Sequence, residues 1–537
     1  MTEHPPSSTK PAGKGRGHGA PTGKAASKNN VHGTVNQPNH HMAGSRRRTA
    51  GQGQHRPRIA GAHNSGFQPT TQHHNDNDNN NQQPKKKKWH QGIMPTPPAD
   101  LPIGGISRFL SLVSLDYCLG SGEPFYLRTA DHPYGREELA HANRLCQLLL
   151  RHWFRLLPLA NQLLSKPLRP ADRRFSLLVL LVLTEMLLAN EKPHAVSVII
   201  RALAALVGER ARANVLQAVI KRIEREQPTL PLLAIDTAIK ESPLLKKQAT
   251  AYGQETLAAM MAQYQQQPPI DLIFTSADAA KAFLQNKHDL PANSNPRPLP
   301  FDNMVRLDAG LQLSALPVVQ NGTAWVQDLA ASIAVRLLNI SPNLVVADIG
   351  AAPGGKTRQL LAAGATVVAV EQSSERILRL QENLVPFREK STIILGDITQ
   401  LKPPRTFAAV LVDAPCSASG TMRKNPDVAL IKNDDGMAAQ TAQQKKILSS
   451  AWRWVGASGV LIYAVCSLEQ EEGEEIIKTF LQEEKTARLV PITTATYPWL
   501  SFLPATALTD GFLRTMPHYL NAEGGMDGFF MAKLQRI

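Results

Sequence analysis

The sequence predicts an α/β fold with a parallel sheet and helices on both faces, preceded by an all-helical domain and a long disordered N-terminal tail. Three observations lead to this prediction. After residue 330, short aliphatic runs alternate with stretches of helical period. Between residues 105 and 230, apolar residues recur every three or four positions. The first hundred residues contain almost no aliphatic side chains. A chain of 537 residues is long enough for two or three such units.

Residues 1–104 form the predicted tail. The first hundred residues are rich in Asn, Gln, His, Gly and Pro, and they hold fourteen Lys or Arg residues against four acids. Such a segment buries too little apolar surface to offset its ordering entropy, which predicts disorder. The lysine run 85–88 suits either RNA phosphates or simple solubility, and composition leaves both alternatives open. The histidines of the tail lack ligand spacing, so no metal site is predicted there.

Residues 105–235 are predicted to be a helical domain with no chemistry of its own. The longest apolar stretch, FSLLVLLVLTEMLLAN (175–190), is shorter than a bilayer span and contains Glu185, which predicts a buried helix and no membrane association. Residues 236–330 are predicted to be a small mixed α/β connecting region. In it, PPIDLIFTS (268–276) has strand character and SADAAKAFLQN has helical character.

The cysteine content indicates a reducing compartment. The four cysteines are too few for a disulfide framework and lack the CxxC spacing of a zinc site, so free thiols and no bound metal are expected. Residues 1–30 contain no apolar run of the kind found in signal peptides. The expected location is the cytoplasm.

Residues 331–537 are predicted to form the parallel sheet. The five aliphatic runs are LVVADIG (344–350), ATVVAVE (365–371), STIILGD (391–397), FAAVLVD (407–413) and SGVLIYAVCS (458–467). In such sheets, ligands bind in the crevice at the carboxyl ends of the strands. The polar residues that follow these runs are therefore the candidate site residues.

The first run leads into DIGAAPGGKT (348–357), a loop whose glycines allow close approach of a ligand to the backbone. The same letters fit the G-x-x-x-x-G-K-[ST] phosphate loop, and Asp413 resembles the acid that holds magnesium in nucleotide-hydrolysing enzymes. An RNA-dependent ATPase is therefore an alternative from a different class.

Three acids end successive strands and favour a different ligand. Glu371 follows the glycine loop by roughly 20 residues, where a carboxylate accepts both ribose hydroxyls. Asp397 and Asp413 end the third and fourth runs. An ATPase has no use for three acids around one crevice, whereas a nucleoside with a cationic sulfonium matches them. The pattern predicts S-adenosyl-L-methionine as the cofactor.

Two thiols stand near these acids. Cys416 follows the fourth run in LVDAPCSASG (411–420), and Cys466 ends the fifth run, so both can face one pocket if the two strands are neighbours. Methylation of carbon 5 of a pyrimidine requires a thiolate, because attack on carbon 6 makes carbon 5 nucleophilic. Asp413 is expected to hold the ring nitrogen and exocyclic amine of a cytosine. Spacing alone leaves open which cysteine is the nucleophile.

The segments DIGAAPGGKT, VDAPCSASGTMRKNPD and YAVCSLEQEE resemble the Sun/RsmB-type ribosomal RNA cytosine-C5 methyltransferases. The likeness extends to AWVQDLAAS (324–332), to GMDGFFMAKL (525–534) and, over residues 105–230, to the helical NusB-like domain of these enzymes. It implies a Rossmann-like methyltransferase domain with Cys466 as the nucleophile and Cys416 assisting release of the product. It also implies RNA contacts from the NusB-like domain and the connecting region, joined by Arg423 and Lys424. The residues that the resemblance implies for the cofactor are Gly350, Ala351, Ala352, Pro353, Gly354, Gly355, Lys356, Glu371, Asp397 and Asp413.

The residues and the resemblance together predict a cytoplasmic monomer that uses S-adenosyl-L-methionine to form 5-methylcytosine in small-subunit ribosomal RNA. The reaction is expected to pass through a covalent adduct between a cysteine and carbon 6 of the ring. The target cytosine is expected in an unstacked region, because a base inside an A-form helix is out of reach. Two alternatives remain: the RNA-dependent ATPase, and a non-catalytic RNA-binding assembly factor built on the helical domain.

Overall fold

The computed structural model describes residues 97, 101–129, 134–286, 290–291, 293–433 and 436–537. The predicted tail lies outside these residues except for Pro97 and residues 101–104, so its disorder and its lysine run stay predictions.

The first described region consists of helices, as the periodicity predicts. It comprises α1 (Gly105–Ser121), α2 (Arg136–Arg151), α3 (Trp153–Leu163), α4 (Arg173–Leu187), α5 (Pro193–Leu206) and α6 (Ala213–Glu226). Residues 177–183 of α4 are all buried in the centre of the core. Glu185 of the same helix accepts a hydrogen bond from Nε of Arg108 at 3.0 Å, and burial raises the pKa of Glu185 to about 7. Among the described residues, none of the helices is both long and apolar enough to cross a bilayer.

The connecting region begins with three more helices and continues as a small antiparallel sheet. The helices are α7 (Ile235–Glu241), α8 (Pro243–Tyr252) and α9 (Gln254–Tyr264). The sheet has the order β2-β3-β1-β4, with β1 (Ile270–Phe274), β2 (Arg297–Pro298), β3 (Met304–Leu307) and β4 (Ala324–Val326), and with α10 (Ala277–Gln285) and α11 (Pro317–Gln320) beside it. The strand predicted within 268–276 and the helix predicted after it are confirmed as β1 and α10.

The second sheet contains the five predicted strands. They are β5 (Val345–Ile349), β6 (Thr366–Glu371), β7 (Ser391–Leu395), β8 (Phe407–Asp413) and β9 (Val455–Val465), and neighbouring strands among them pair in parallel. Four more strands extend the sheet beyond β9 and pair antiparallel: β10 (Ala487–Leu489), β11 (Leu508–Thr509), β12 (Phe512–Thr515) and β13 (Phe529–Arg536). The remaining helices are α12 (Leu329–Arg336), α13 (Gly355–Ala362), α14 (Arg376–Leu384), α15 (Val428–Ile431), α16 (Met437–Trp452) and α17 (Glu474–Glu483).

The strand order β13-β9-β8-β5-β6-β7 decides where a ligand can bind. The chain proceeds from β5 to β6 and β7 on one side, then crosses to β8 and β9 on the other side, so the order reverses between β5 and β8. Crevices at such reversal points, at the carboxyl ends of the strands, are the usual binding sites of these folds. The loops after β5, β8 and β9 all meet there.

Candidate active site

The loop after β5 lies against the end of β8. Gly350 has a φ of +79°, and a Cβ at this position would lie 2.4 Å from the carbonyl oxygen of Asp413. Gly354 precedes α13 with a φ of +104°. Because Gly350 carries no side chain, the glycine loop can pack directly on the backbone at the end of β8.

A cleft opens at this edge of the sheet. Its lining comes from the ends of the five parallel strands and from α14 and α16: Ile349, Gly350, Val370, Glu371, Gln372, Arg376, Gly396, Ile398, Asp413, Ala414, Pro415, Cys416, Ile447 and Cys466. Of the predicted site residues, the cleft therefore brings together Gly350, Glu371, Asp413 and both cysteines. Residues 351–356 and Asp397 are not part of this lining, although Asp397 stands between two residues that are.

Glu371 is buried and held rigidly at the end of β6. Its Oε2 accepts a hydrogen bond from the backbone N–H of Ala352 at 3.2 Å, and its Oε1 accepts one from the N–H of Ser373 at 2.9 Å. Arg376 lies 3.5 Å from the same carboxylate. The carboxylate thus links the glycine loop to β6 and keeps lone pairs for a ligand in the cleft. The side chain of Asp397 instead accepts a hydrogen bond from the N–H of Thr399.

The two thiols are in contact. Sγ of Cys416 lies 3.3 Å from Sγ of Cys466, and both side chains are half-buried. The parallel pairing of β8 with β9 explains this proximity, since Asp413 at the end of β8 is in register with Ala464. The hydrogen bond to Cys466, burial, and the negative charges of Cys466 and Glu472 raise the pKa of Cys416 well above its usual value.

Lys356 is the cation of this site. Its Nζ lies 2.7 Å from Oδ2 of Asp413. Burial lowers the pKa of Lys356, but Asp413, Cys466 and Asp348 raise it by more, so the ammonium form is stabilised. The sequence predicted Lys356 as a cofactor residue; the structure pairs it with the acid expected to hold the base.

Asp348 is a buried acid that the sequence prediction did not single out. Its Oδ2 accepts a hydrogen bond from the hydroxyl of Thr357 at 2.6 Å, whereas its Oδ1 has no partner. Burial, with a smaller contribution from Asp413, raises the pKa of Asp348 to about 6. The sequence did offer a signal for Asp348, because it opens the motif DIGAAPGGKT two residues before Gly350.

Arg423 does not take the role predicted for it. Its side chain is only 1% exposed, and its guanidinium lies 2.8 Å from Asp328 and 3.4 Å from Asp527. The prediction that Arg423 contacts RNA is therefore wrong, because the charge is enclosed by protein carboxylates. Lys424 is one-third exposed and pairs with the same two acids at 2.6 and 2.8 Å.

Comparison with known proteins agrees with this geometry. A family model described as 16S rRNA methyltransferase RsmB/F matches residues 335–535. The chain is similar to ribosomal RNA small subunit methyltransferase B of Cronobacter sakazakii, with 30% identity over 421 residues that cover 75% of this chain and 96% of the relative. It is also similar to the protein of that name from Pasteurella multocida, with 31% identity over 422 residues that cover 76% of this chain and 90% of the relative.

The fold has a counterpart among solved structures. The crystal structure of PH0851 matches with a TM-score of 0.62 and 17% identity, covering 81% of this chain and 99% of that one. This similarity shows the shared fold alone. Together with the two relatives, which align along most of their own length, the motifs and the cleft lead to one assignment. The chain belongs to the family of ribosomal RNA small subunit methyltransferase B.

Proposed function

We propose that this chain transfers a methyl group from S-adenosyl-L-methionine to carbon 5 of a cytosine in small-subunit ribosomal RNA. The observation that carries the proposal is the contact of two thiols, 3.3 Å apart, beside the Lys356–Asp413 ion pair at the mouth of the cleft. Carbon 5 is a poor nucleophile until a thiolate adds to carbon 6, so this reaction needs a sulfur next to groups that hold the base.

The cleft has the features that the cofactor requires. Gly350 lines the cleft, where its lack of a side chain lets the glycine loop pack on Asp413, and Glu371 presents a buried carboxylate at the distance along the chain typical of a ribose contact. When bound, S-adenosyl-L-methionine supplies an electrophilic methyl group. We assign Gly350, Glu371 and Asp413 to this site by contact with the cleft, and the other residues of the glycine loop and Asp397 by the family resemblance.

The family resemblance assigns Cys466 as the nucleophile, and the charge of Lys356 beside Cys466 supports this assignment. Either thiol can donate to the other across their 3.3 Å contact, and the resemblance gives the donor role to Cys416. A Cys466 thiolate gains that hydrogen bond and the nearby charge of Lys356. Addition forms the bond between Sγ of Cys466 and carbon 6 of the ring. At the end, the proton of carbon 5 leaves to water, its electron pair restores the ring double bond, and Sγ departs as a thiolate stabilised by the thiol of Cys416.

Asp413 and Lys356 act on the target base. The Asp413 carboxylate accepts a hydrogen bond from the exocyclic amine of a cytosine, while Lys356 offers a positive charge to the electron density that moves onto the ring during thiolate attack. The pairing of Lys356 with Asp413 also argues against the ATPase alternative, because a phosphate-loop lysine must reach the phosphates.

The helical region is the part of the chain that we assign to RNA binding. We propose that residues 105–235 form a NusB-like domain, 236–330 a connecting region and 331–537 the methyltransferase domain, in a chain that acts as a cytoplasmic monomer. The first boundary is supported by the cores, because α1–α6 share one hydrophobic core while the buried residues of α7–α9 belong to the core of the following part of the chain.

Labelled methyl transfer tests the proposal. Wild-type protein and the variants Cys466→Ala and Cys416→Ala are incubated with small-subunit ribosomal RNA and tritiated S-adenosyl-L-methionine, and covalent protein–RNA adducts are detected on denaturing gels. Cys466→Ala is expected to abolish transfer, and Cys416→Ala to accumulate the adduct. Exchanged phenotypes would show that the two roles are reversed. Calorimetric binding of ATP with no binding of S-adenosyl-L-methionine would favour the ATPase, and RNA binding without transfer would favour the non-catalytic alternative.

A further inference from the structure

Glu472 is a buried carboxylate next to the two cysteine loops, in the turn that follows Cys466. Its side chain is fully enclosed, at 0% exposure. Its Oε1 and Oε2 accept the backbone N–H of Ser417 at 2.9 and 3.2 Å, and Oε2 also accepts the hydroxyl of Ser417 at 2.6 Å. Oε1 further accepts a hydrogen bond from Nε2 of Gln444 at 3.0 Å.

These contacts fix both neighbours of Cys416. Ser417 follows the cysteine and is held directly by Glu472. Pro415 precedes it, and its carbonyl oxygen accepts a hydrogen bond from the same Nε2 of Gln444 at 2.8 Å. Glu472 and Gln444 therefore bind the backbone on either side of Cys416, which restricts the position of the Cys416 side chain.

The same network reaches the second cysteine. Oγ of Ser467, the residue after Cys466, lies 3.2 Å from Oγ of Ser417. Gly420 donates its N–H to the carbonyl oxygen of Cys466 at 3.0 Å. The spacing between the two sulfur atoms is thus set by a polar network in which Glu472 receives the largest number of hydrogen bonds.

The charge of Glu472 is costly in this position. Among the described residues, no cation lies within ion-pair distance of it, so N–H and O–H donors alone compensate the carboxylate. Buried carboxylates without a paired cation are rare. When all their hydrogen bonds are made, they hold the donor groups around them in one arrangement. Here that arrangement is the loop that carries Cys416.

We propose that Glu472 is a positioning residue that holds Cys416 against Cys466 for the release step. The inference rests on the proposed function, because it assumes that Cys416 assists departure of Cys466 from the methylated base. In that step the bond between Sγ of Cys466 and carbon 6 breaks with its electron pair passing to sulfur, and the Cys416 thiol must lie within hydrogen-bond distance of that sulfur. If the loop is no longer held by Glu472, the Cys416 thiol does not stay within hydrogen-bond distance of Sγ of Cys466.

The variants Glu472→Gln and Glu472→Ala test the inference. Glu472→Gln keeps the shape but removes the charge and replaces one acceptor oxygen by an NH2 group, and Glu472→Ala removes all acceptors. Steady-state turnover is expected to fall about 10- to 100-fold, the size of effect that follows displacement of a reacting group by up to ~1 Å. Methyl transfer in the first turnover is expected to stay within about threefold of wild type, with the covalent adduct accumulating as in Cys416→Ala.

The matched control is Glu471→Gln, which makes the same chemical change one residue away. Glu471 pairs with Lys247 on the surface and contacts neither cysteine loop in this way. Its turnover and adduct level are expected to equal those of wild type. The double variant Cys416→Ala/Glu472→Gln is expected to turn over no more slowly than Cys416→Ala, because both changes disable the same step.

Two results would overturn the inference. In the first, Glu472→Gln behaves like Glu471→Gln in turnover and adduct level. In the second, Glu472→Gln slows the first turnover as much as the steady state, with no adduct, which indicates a general structural role.

If Glu472→Ala does not fold, the result for Glu472→Gln alone tests the inference. If Cys416→Ala itself traps no adduct, the assigned role of Cys416 fails and the inference falls with it; adduct in Cys416→Ala but not in the Glu472 variants refutes the inference alone.

Discussion

Gly420 lies where the cysteine loop touches the loop before β13, and its substitution offers a quantitative test of the site geometry. A Cβ at Gly420 would lie 2.0 Å from the carbonyl oxygen of Gly528 and 2.6 Å from its carbonyl carbon. Real Cβ contacts essentially never fall below 3.0 Å, so the two backbones must separate by about 1 Å in Gly420→Ala. Backbone atoms cannot rotate away as the end of a flexible side chain can.

The loss in free energy of unfolding caused by Gly420→Ala has two parts. Two hydrogen bonds fix the backbone of Gly420 beside this contact: its N–H donates to the carbonyl oxygen of Cys466 at 3.0 Å, and its carbonyl oxygen accepts from the N–H of Gly528 at 2.8 Å. Each contributes about 1 kcal/mol net, and overpacking of a closely packed contact costs about 1–3 kcal/mol. Gly420→Ala is therefore expected to lower the free energy of unfolding by about 3–5 kcal/mol.

The same displacement moves the Cys416 loop relative to Cys466. A shift of about 1 Å in a reacting group costs on the order of 100-fold in rate. Urea denaturation measures the stability, and steady-state methyl transfer measures the turnover of the folded fraction, because the proposed role of Cys416 lies in the release step.

Gly436→Ala is the matched control for this prediction. A Cβ at Gly436 meets nothing within 4 Å, and its φ of −89° suits any residue. This variant is expected to change stability by less than about 1 kcal/mol and to leave the rate unchanged. Equal urea midpoints and equal rates for Gly420→Ala and Gly436→Ala would refute the steric reasoning.

Three further predictions concern buried charge and the thiols. The pKa of Asp348 is raised to about 6 from an ordinary value of 3.8, so its contribution to stability is complete below pH 3.8 and is lost as the pH rises through 6. Relative to Asp348→Asn, wild-type protein should lose up to about 3 kcal/mol between pH 4 and pH 7 in urea titrations, and parallel curves would contradict this. Arg423→Met leaves the buried Asp328 with one cation fewer and should lower the free energy of unfolding by about 3–5 kcal/mol; a change below 1 kcal/mol would mean that the cluster is not buried as described. Treatment with diamide should join Cys416 to Cys466, abolish methyl transfer and remove two of the four free thiols until dithiothreitol is added, because the two sulfur atoms are already in contact. Retained activity with four titratable thiols would count against that contact.

The parallel strands were predictable because each one is an aliphatic run, and all except the edge strand β7 are largely buried. The antiparallel extension beyond β9 was not predicted. Strands β11 and β12 have only two and four residues, too few to show a periodicity. Strand β13 lies in a segment that the sequence marked only through its family likeness. Its pairing with β9 over six residues is a long-range contact that no local pattern reports.

The site was predictable to the extent that strand ends define it. Both cysteines and Asp413 were expected to converge, and the parallel pairing of β8 and β9 explains why they do. The partners of the charged side chains were not predictable. Arg423 meets acids that are 95 and 104 positions away along the chain, and Ser417 meets Glu472 at a separation of 55. A cation in a site loop has the same local sequence whether it faces RNA or a buried carboxylate.

Apolar strands and buried polar networks therefore contribute differently to this enzyme. The sheet brings the loops after β5, β8 and β9 to one edge, but an apolar core tolerates small shifts of the loops above it. Hydrogen bonds to buried charges tolerate much less, because each broken bond leaves an unsatisfied group. The Asp328–Arg423 and Glu472 networks both hold the segment that begins at Cys416, although burying such charges brings little net stability. Their benefit is a single arrangement of that segment, which the proposed action of two sulfur atoms in sequence on one base requires.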